Sequence, residues 1–536
     1  MSNYYYKTTD FKFTVDKTDE QILAEILSKL KLPQSFSHPV ANATPLGRGI
    51  YKKAIDARDK QNVKFVVSAV VKSNKKLTGP LLESYTPKVN IFDSLTKAAE
   101  SSKIIICGSG PCGLFAALHL SKRGLKPLII EKGADLPQRA EIVNKFFKTL
   151  ELNENTNVQF GLGGAGTFSD GKLNTNTKDE KNFSVLSEFV KFGAKEEILY
   201  DSAPHIGTDN LQKIICNMRD EIIRLGGEFR FNASLNDIII ADNKVKAVLV
   251  NNEILSCDKL LLAHGHSAKN VYEILKRIGA EICSKPFAIG VRIEHNADFI
   301  NNAQYGEFVK YKNILPADYK LVSHRGERAV YTFCMCPGGV VVPAVSVKNT
   351  IVTNGMSNSA RSGENSNSAL LVNVFDNDHN NDAFTFLEGL EKKAFEVSGS
   401  YKAPCQNAED FINDKISQNF VVKPSCLTGV FSADLNKILP EFVCKNLKAA
   451  LLDFNDKIKG FIKNGVLTGV ETRTTAPVRV VRNNVTFESN IKGLYPSGEG
   501  AGYAGGIVSS AADGINSAMR MINDTDTLNS PLSILN

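Results

Sequence analysis

The sequence predicts an α/β fold built on a parallel sheet, from three adjacent features. Residues 104–106 form a short, wholly apolar run, as in a strand buried on both faces. A glycine loop from Gly108 to Gly113 follows at once and leads into a helical apolar pattern. A second apolar run, 128–130, ends in Glu131. Strand, glycine loop, helix, strand and acid within about 30 residues are typical of a Rossmann-like dinucleotide-binding unit.

Each residue of this first loop has a mechanical role in such a unit. Gly108 permits the tight turn, Gly110 lets the backbone approach a pyrophosphate, and Gly113 lets the helix pack against the strand. Glu131 is positioned to accept ribose hydroxyls, which favours FAD or NAD over NADP. The nucleotide contacts predicted here are Gly108, Ser109, Gly110, Pro111, Cys112, Gly113, Glu131 and Lys132.

Bulk composition excludes several classes of protein. The 536 residues carry a net charge of 64 − 57 = +7, without the long basic block of a nucleic-acid tail. The N-terminus lacks the apolar segment of a signal peptide, and no apolar run reaches ~18 residues. The 10 cysteines show no paired CxxC spacing. We expect a cytoplasmic protein with free thiols, no bound metal and no membrane partner.

The chain divides into several predicted units around the nucleotide fold. An α+β accessory domain (1–82) precedes a linker (83–102), and the FAD-binding domain is split by an inserted α+β substrate domain. The predicted segments are 103–282 (first FAD part), 283–458 (insertion), 459–523 (second FAD part) and 524–536 (tail). A basic stretch from Arg48 to Arg58 is either an RNA-binding face or a solvated surface, and the second interpretation is preferred.

A second glycine cluster follows the first fingerprint, at residues 161–172. Many glycines with hydroxyls and an acid let backbone amides line a flat or phosphorylated ligand closely. The alternative is a flexible surface loop. The predicted contacts are Gly163, Gly164, Gly166, Thr167, Ser169 and Asp170.

Another buried strand, 259–263, ends in a turn that carries His264 and His266. Ligands of α/β sheets lie at the carboxyl ends of the strands. A metal site is disfavoured, because no acid or cysteine has matching spacing, so we expect hydrogen bonds to the cofactor or the next loop. Ala263, Gly265 and Leu235 are included among the predicted cofactor contacts.

The C-terminal part has a third glycine-rich turn, from Gly493 to Gly506, followed by a helical pattern. Its acid, Glu499, is suited to bind ribityl hydroxyls, and the helix N-terminus is suited to a pyrophosphate or the anionic edge of a flavin. Gly498, Gly506 and Ile507 are the other contacts predicted here. Because a NAD-dependent fold has no need of such a second element, the pair of loops favours FAD.

The insertion contains the candidates for chemistry. Cys334 and Cys336 could exchange electrons with a flavin, but on a regular strand their thiols would lie about 7 Å apart, long for a disulfide. The alternative is two small buried residues beside a glycine turn. Arg361 and Arg473 are candidate catalytic residues, and with Arg292 and Arg479 they are candidates to clamp a carboxylate or phosphate.

Taken together, these motifs resemble a bacterial family of FAD-dependent dehydrogenases with a glutathione-reductase-type FAD domain. The resemblance covers about 103–521 and implies FAD binding through the three glycine segments. Cys112, His264 and Glu499 depart from the usual pattern. The motifs are GSGPCGLFAAL with IIEKG, GLGGAGTFSDGKLNT, KPFAIGVRIEH, YTFCMCPGG, TNGMSNSAR, NSNSALLV, ETRTTAPVR and LYPSGEGAGYAGGIVSSAADG.

The leading functional hypothesis is an FAD-dependent oxidoreductase that moves a hydride between a small organic, anionic substrate and FAD N5. With one dinucleotide fingerprint, NAD(P)H would act only as a transient reductant at the flavin face. Two other classes stay open: a flavin-dependent RNA-modifying enzyme and a non-catalytic flavin-binding sensor or scaffold. The preferred hypothesis has no nucleic-acid partner, and the sequence leaves the oligomeric state open.

Overall fold

A computed structural model describes residues 4–31, 49–99 and 101–522. Arg48 and the predicted tail 524–536 lie outside the described residues. The helices are α1 Asp19–Lys29, α2 Pro111–Lys122, α3 Leu136–Thr149, α4 Lys181–Lys191, α5 Thr208–Arg224, α6 Lys269–Arg277, α7 Ala297–Tyr305, α8 Ala383–Ser398, α9 Ala408–Ile412, α10 Glu441–Lys457 and α11 Ile507–Met521.

The strands fall into three groups along the chain. The first are β1 Tyr4–Thr8, β2 Phe11–Thr14, β3 Ile50–Asp56, β4 Lys64–Ser73 and β5 Leu82–Ser84. The second are β6 Ile104–Cys107, β7 Leu128–Ile130, β8 Glu228–Arg230, β9 Leu235–Ala241, β10 Lys244–Val250, β11 Glu253–Ser256 and β12 Lys259–Leu262. The third are β13 Ile282–Ser284, β14 Phe287–Asn296, β15 Val322–Ser323, β16 Val330–Cys336, β17 Val340–Pro343, β18 Thr353–Met356, β19 Asn365–Val374, β20 Ala403–Asn407, β21 Val430–Ser432, β22 Val466–Glu471, β23 Val478–Val480 and β24 Leu494–Pro496.

The nucleotide-binding part is a mixed α/β unit around a parallel sheet ordered β24-β12-β6-β7-β8. Helix α2 follows β6, and α11 follows β24 and packs on α2. The antiparallel strands β9, β10 and β11 form a separate sheet beside it. Because the carboxyl ends of the parallel strands share one edge, the loops after β6, β7 and β12 open on the same side.

The N-terminal strands form their own antiparallel sheet, in which β1 lies between β4 and β5. Helix α1 begins with a capping box between Thr18 and Gln21. The sheet includes Leu82–Ser84, so strand pairing reaches into the segment predicted as a linker. The rest of that segment is also anchored: Phe92 is buried, and Asn90 donates to Glu188 of α4. The polar composition of residues 83–102 predicted a linker and gave no sign of these contacts.

The inserted part is a larger sheet, ordered β15-β16-β19-β14-β22-β20-β21 within the described residues. Its strand β22, Val466–Glu471, lies between β14 and β20. We predicted residues 459–523 to be nucleotide-binding, so the boundary at 458 is wrong for this strand. A short, fully buried strand is typical of either sheet, and only the pairing decides which one it joins. Among the described residues, no helix is both long and apolar enough to cross a membrane.

Candidate functional site

A cavity of about 800 Å³ lies where the glycine segments and the inserted sheet meet. It is lined by most of the predicted contacts: Gly108, Ser109, Gly110, Pro111, Cys112, Glu131, Lys132, Gly164, Gly166, Ser169, Asp170, Leu235, Ala263, Gly265, Glu499, Gly506 and Ile507. The candidates Cys334, Arg361 and Arg473 line it too. The predicted residues outside its lining are Gly113, Gly163, Thr167, Gly498 and Cys336.

The three glycine segments touch one another, although they are far apart in the chain. A Cβ added to Gly164 would lie 3.0 Å from Gly110 Cα, and one added to Gly498 would lie 2.9 Å from Cys112 Cβ. Both glycines also have positive φ, +62° and +73°. Side chains at these positions would separate the loops, so glycine is required there for the close approach.

Two helices begin at the cavity wall. The first residues of α2 (Pro111 and Cys112) and of α11 (Ile507) line it, so the positive ends of both helix dipoles lie beside the same space. Helix N-termini with small residues in front of them are suited to phosphate groups. The arrangement therefore fits the pyrophosphate of a dinucleotide without requiring a basic side chain.

Glu131 is buried and already holds four hydrogen bonds. One carboxylate oxygen accepts from the amide and the hydroxyl of Ser109, at 2.9 and 2.7 Å. The other accepts from the amides of Gly133 and Gly161, each at 2.9 Å. The carboxylate thus ties the first glycine loop to the second. A ribose hydroxyl would have to compete with these amides, and the ribose contact stays a prediction.

Arg139 of α3 organises the second glycine loop, and the sequence interpretation missed it. It is fully buried, and its guanidinium donates to backbone carbonyls at 2.6–3.1 Å. The acceptors are the carbonyl oxygens of Asn157, Val158, Gly161, Leu162 and Gly164. Its burial lowers the pKa of Arg139 to about 9. The sequence signal that could have indicated a buried Arg139 is its place as a basic residue in a partly apolar helix.

Asp170 and Arg361 form a buried ion pair at the inner end of the cavity. Arg361 Nη2 lies 2.6 Å from one Asp170 oxygen, and Nε lies 3.2 Å from the other. Ser357 donates to the same carboxylate, and Lys172 Nζ lies 3.9 Å from it. Burial opposes ionisation, but the charges of Arg361 and Lys172 keep the pKa of Asp170 below its usual value. Two cations therefore share one carboxylate.

The other candidate arginines are engaged in contacts of their own. Arg473 pairs with Glu391 at 2.6 and 2.9 Å and donates to Ser346. Arg292 is fully buried and contacts Glu471 at 3.1 and 3.2 Å. Arg479 lies over the ring of Tyr503. Arg473 and Arg361 thus reach the cavity wall as ion-paired groups, and Arg292 lies behind it.

The two histidines after β12 line the cavity with unpaired polar atoms. His264 is 8% exposed, and neither of its ring nitrogens has a hydrogen-bond partner in the described structure. Burial lowers its pKa to about 3, so the ring is neutral. His266 Nδ1 lies 3.7 Å from Glu499, and its Nε2 is also unpartnered. Buried polar atoms seldom lack partners, so these atoms fit a bound polar cofactor such as FAD.

Cys334 and Cys336 differ in exposure. Cys334 lines the cavity, whereas Cys336 is fully buried behind it. Cys334 adopts a left-handed conformation, φ +44°, so the regular strand assumed from the sequence is wrong here. Both cysteines are free thiols.

Comparisons with known proteins identify two matched segments in the chain. The family described as "FAD binding domain" matches residues 101–258, and "FAD-dependent protein, C-terminal domain-like" matches residues 286–474. An uncharacterized protein of Clostridium beijerinckii is 44% identical over 492 residues, which cover 89% of this chain and 92% of the relative.

Two solved structures that the chain matches have TM-scores below 0.5. Glycine oxidase from Bacillus cereus is 14% identical and has a TM-score of 0.30. The match covers 79% of this chain and 95% of the glycine oxidase chain. L-proline dehydrogenase from P. horikoshii is 11% identical and has a TM-score of 0.34. The match covers 79% of this chain and 94% of the dehydrogenase chain. The chain belongs to the same family as the Clostridium beijerinckii relative, and its two family matches make it an FAD-dependent protein with FAD as its cofactor.

Proposed function

We propose that this enzyme is a dehydrogenase on a glutathione-reductase-type fold, which transfers a hydride between a small organic anion and FAD N5. The observation that carries the proposal is the continuity of the cavity. It runs from Glu131 and Leu235, at the nucleotide loops, to Lys172 and Cys334, beside the inserted sheet. A cofactor that binds along the glycine segments would leave the far end for a substrate.

Bound FAD supplies the hydride acceptor, and the chain supplies orientation and charge. At the far end, Asp170 is shared by Arg361 and Lys172, so one positive charge has no carboxylate of its own. Lys172 has the more exposed side chain of the two, at 27% against 5%. Its ammonium is therefore the group that we assign to hold an anionic substrate.

Two basic residues of the N-terminal unit form ion pairs within it, which makes these two less available for the RNA-modifying alternative. Arg58 forms paired hydrogen bonds with Asp56, and Lys53 pairs with Asp19. Charges neutralised within the unit contribute little to phosphate binding. Retention of RNA by the protein at low salt would support the RNA-modifying alternative.

An anaerobic titration of the holoenzyme tests the proposed reaction. NADH, NADPH and a panel of 2-hydroxy and unsaturated acids are added, and the flavin absorbance is followed. We expect at least one 2-hydroxy acid to bleach the flavin, or one unsaturated acid to reoxidise a flavin reduced with NAD(P)H. If dithionite bleaches the flavin but no member of the panel changes its redox state, the proposed hydride transfer is wrong.

Replacing Lys172 by methionine tests the anion-binding assignment. Loss of the ammonium should raise KM for an anionic substrate by about tenfold or more, equivalent to ~1.4 kcal/mol, while FAD content is unchanged. Lys178→Met, an exposed lysine outside the cavity lining, is the matched control. An unchanged KM in Lys172→Met would contradict the assignment.

A further inference from the structure

The strand that carries the two cysteines is irregular at the position where it reaches the cavity. Phe333 pairs with Ala369, and the next pairing joins Cys336 to Asn367. The chain from 333 to 336 therefore has one residue more than its partner, which is a β-bulge. Cys334 lies in this bulge at φ +44°, a conformation that few non-glycine residues adopt. Such outliers cluster at functional sites.

Two cations fix the bulge from opposite parts of the chain. Arg292 Nη2 donates to the Cys334 carbonyl at 2.8 Å, and Lys172 Nζ donates to the Met335 carbonyl. Arg292 is held in turn by Asn367 and Glu471. The backbone geometry at the cysteines is thus held by side chains from other parts of the chain as well as by the strand.

The bulge turns the Cys336 thiol back toward Cys334. The Cys336 thiol donates to the Cys334 carbonyl at 3.3 Å. Arg292 Nη2 lies 3.8 Å from Cys336 Sγ. A regular strand would hold thiols two residues apart at about 7 Å, too far for a disulfide, and the bulge replaces that regular geometry.

We propose that Cys334 and Cys336 are a dithiol–disulfide couple that exchanges electrons with the bound flavin. In the forward direction, an S–S bond forms between the Cys334 thiolate and Cys336, and the S–H bond of Cys336 breaks. The two electrons and the Cys336 proton pass to FAD, which becomes FADH⁻, so charge and atoms balance. The inference rests on FAD binding and does not require the proposed hydride substrate.

The electrostatic surroundings support this assignment. The hydrogen bond from Cys336 and the charges of Lys172 and Arg292 lower the pKa of Cys334, against the effect of burial. Burial instead raises the pKa of thiols elsewhere, as at Cys257 and Cys405. A thiolate is the reactive form of cysteine.

Electron counting tests the couple without any turnover. The oxidised holoenzyme is titrated anaerobically with dithionite, and flavin bleaching is followed together with thiols trapped by alkylation and located by mass spectrometry. We expect roughly four electron equivalents per flavin instead of about two, since flavin and disulfide are each two-electron couples. An uptake of about two, with both cysteines alkylated before and after reduction, would overturn the proposal.

Single variants make the count specific. Cys334→Ser and Cys336→Ser should each return the uptake to about two electron equivalents, at full FAD content. Cys216→Ser, a half-buried thiol of α5 outside the cavity lining, is the control and should keep about four. If a variant fails to fold, the number of electrons taken up by the wild-type protein and the alkylation of its two cysteines still decide whether the couple exists. A count of about four that persists in both cavity variants would overturn the assignment to this pair.

Discussion

Gly110→Val is expected to yield a folded but colourless protein. The backbone of Gly110 is extended, φ −71° and ψ −176°, so valine can adopt it without strain. A Cβ there meets nothing closer than Gly164 Cα at 3.9 Å, and the residue lines the cavity. The branched side chain would therefore occupy space that the cofactor needs. We expect FAD affinity to fall at least ~100-fold, about 2.7 kcal/mol, as measured by flavin absorbance of purified protein and by titration.

A second glycine of the same loop provides the contrast. A Cβ added to Gly113 would lie 1.9 Å from the Gly108 carbonyl oxygen, so Gly113→Ala should destabilise the fold itself. Circular dichroism and thermal unfolding separate the two effects: Gly110→Val keeps its melting transition and Gly113→Ala does not. Yellow Gly110→Val protein with full FAD content would show that the nucleotide does not pass this position.

Arg139→Leu is expected to lower the stability of the protein strongly. The substitution leaves backbone carbonyls of the second glycine loop without donors inside the protein. Each unsatisfied buried acceptor costs about 1–3 kcal/mol, and relaxation recovers part of the total. We expect the free energy of unfolding to fall by about 3–5 kcal/mol, measured by denaturant unfolding with flavin release as the probe.

The matched control for Arg139 is an arginine that is not buried. Arg224 lies on α5 with 68% of its side chain exposed, and it pairs with Glu221. Arg224→Leu should leave both the unfolding transition and the FAD content unchanged, because exposed ion pairs contribute little. Equal losses in the two variants would mean that charge reduction, rather than the carbonyl contacts of Arg139, causes the effect.

Local sequence patterns predicted much of the α/β fold. The apolar runs at Ile104–Cys107 and Leu128–Ile130 are strands, because each is short, wholly apolar and bounded by turn residues. The glycine spacing also anticipated that distant loops line one cavity. Each strand and each glycine loop is encoded within a few neighbouring residues, which is why these elements could be predicted.

Long-range pairing could not be predicted in the same way. The strand Val466–Glu471 has a pattern that suits either sheet, and its partners lie far away in the chain. The ion-pair partners of Arg361 and Arg473 are likewise distant, at Asp170 and Glu391. An isolated arginine in a sequence carries no sign of its partner, so its availability to a ligand could not be judged.

The contact between helices α11 and α2 has a consequence for biosynthesis. Strand β24 completes the edge of the parallel sheet beside β12, and Gly514 of α11 lies against the backbone of Cys112 in α2. A chain emerging from the ribosome cannot close this unit until residues near 514 have been made, 514 − 108 = 406 positions after the fingerprint loop begins at Gly108. Until then the apolar face of α2 lacks its partner helix in the nascent polypeptide. Chaperones protect folding intermediates that expose such apolar surface.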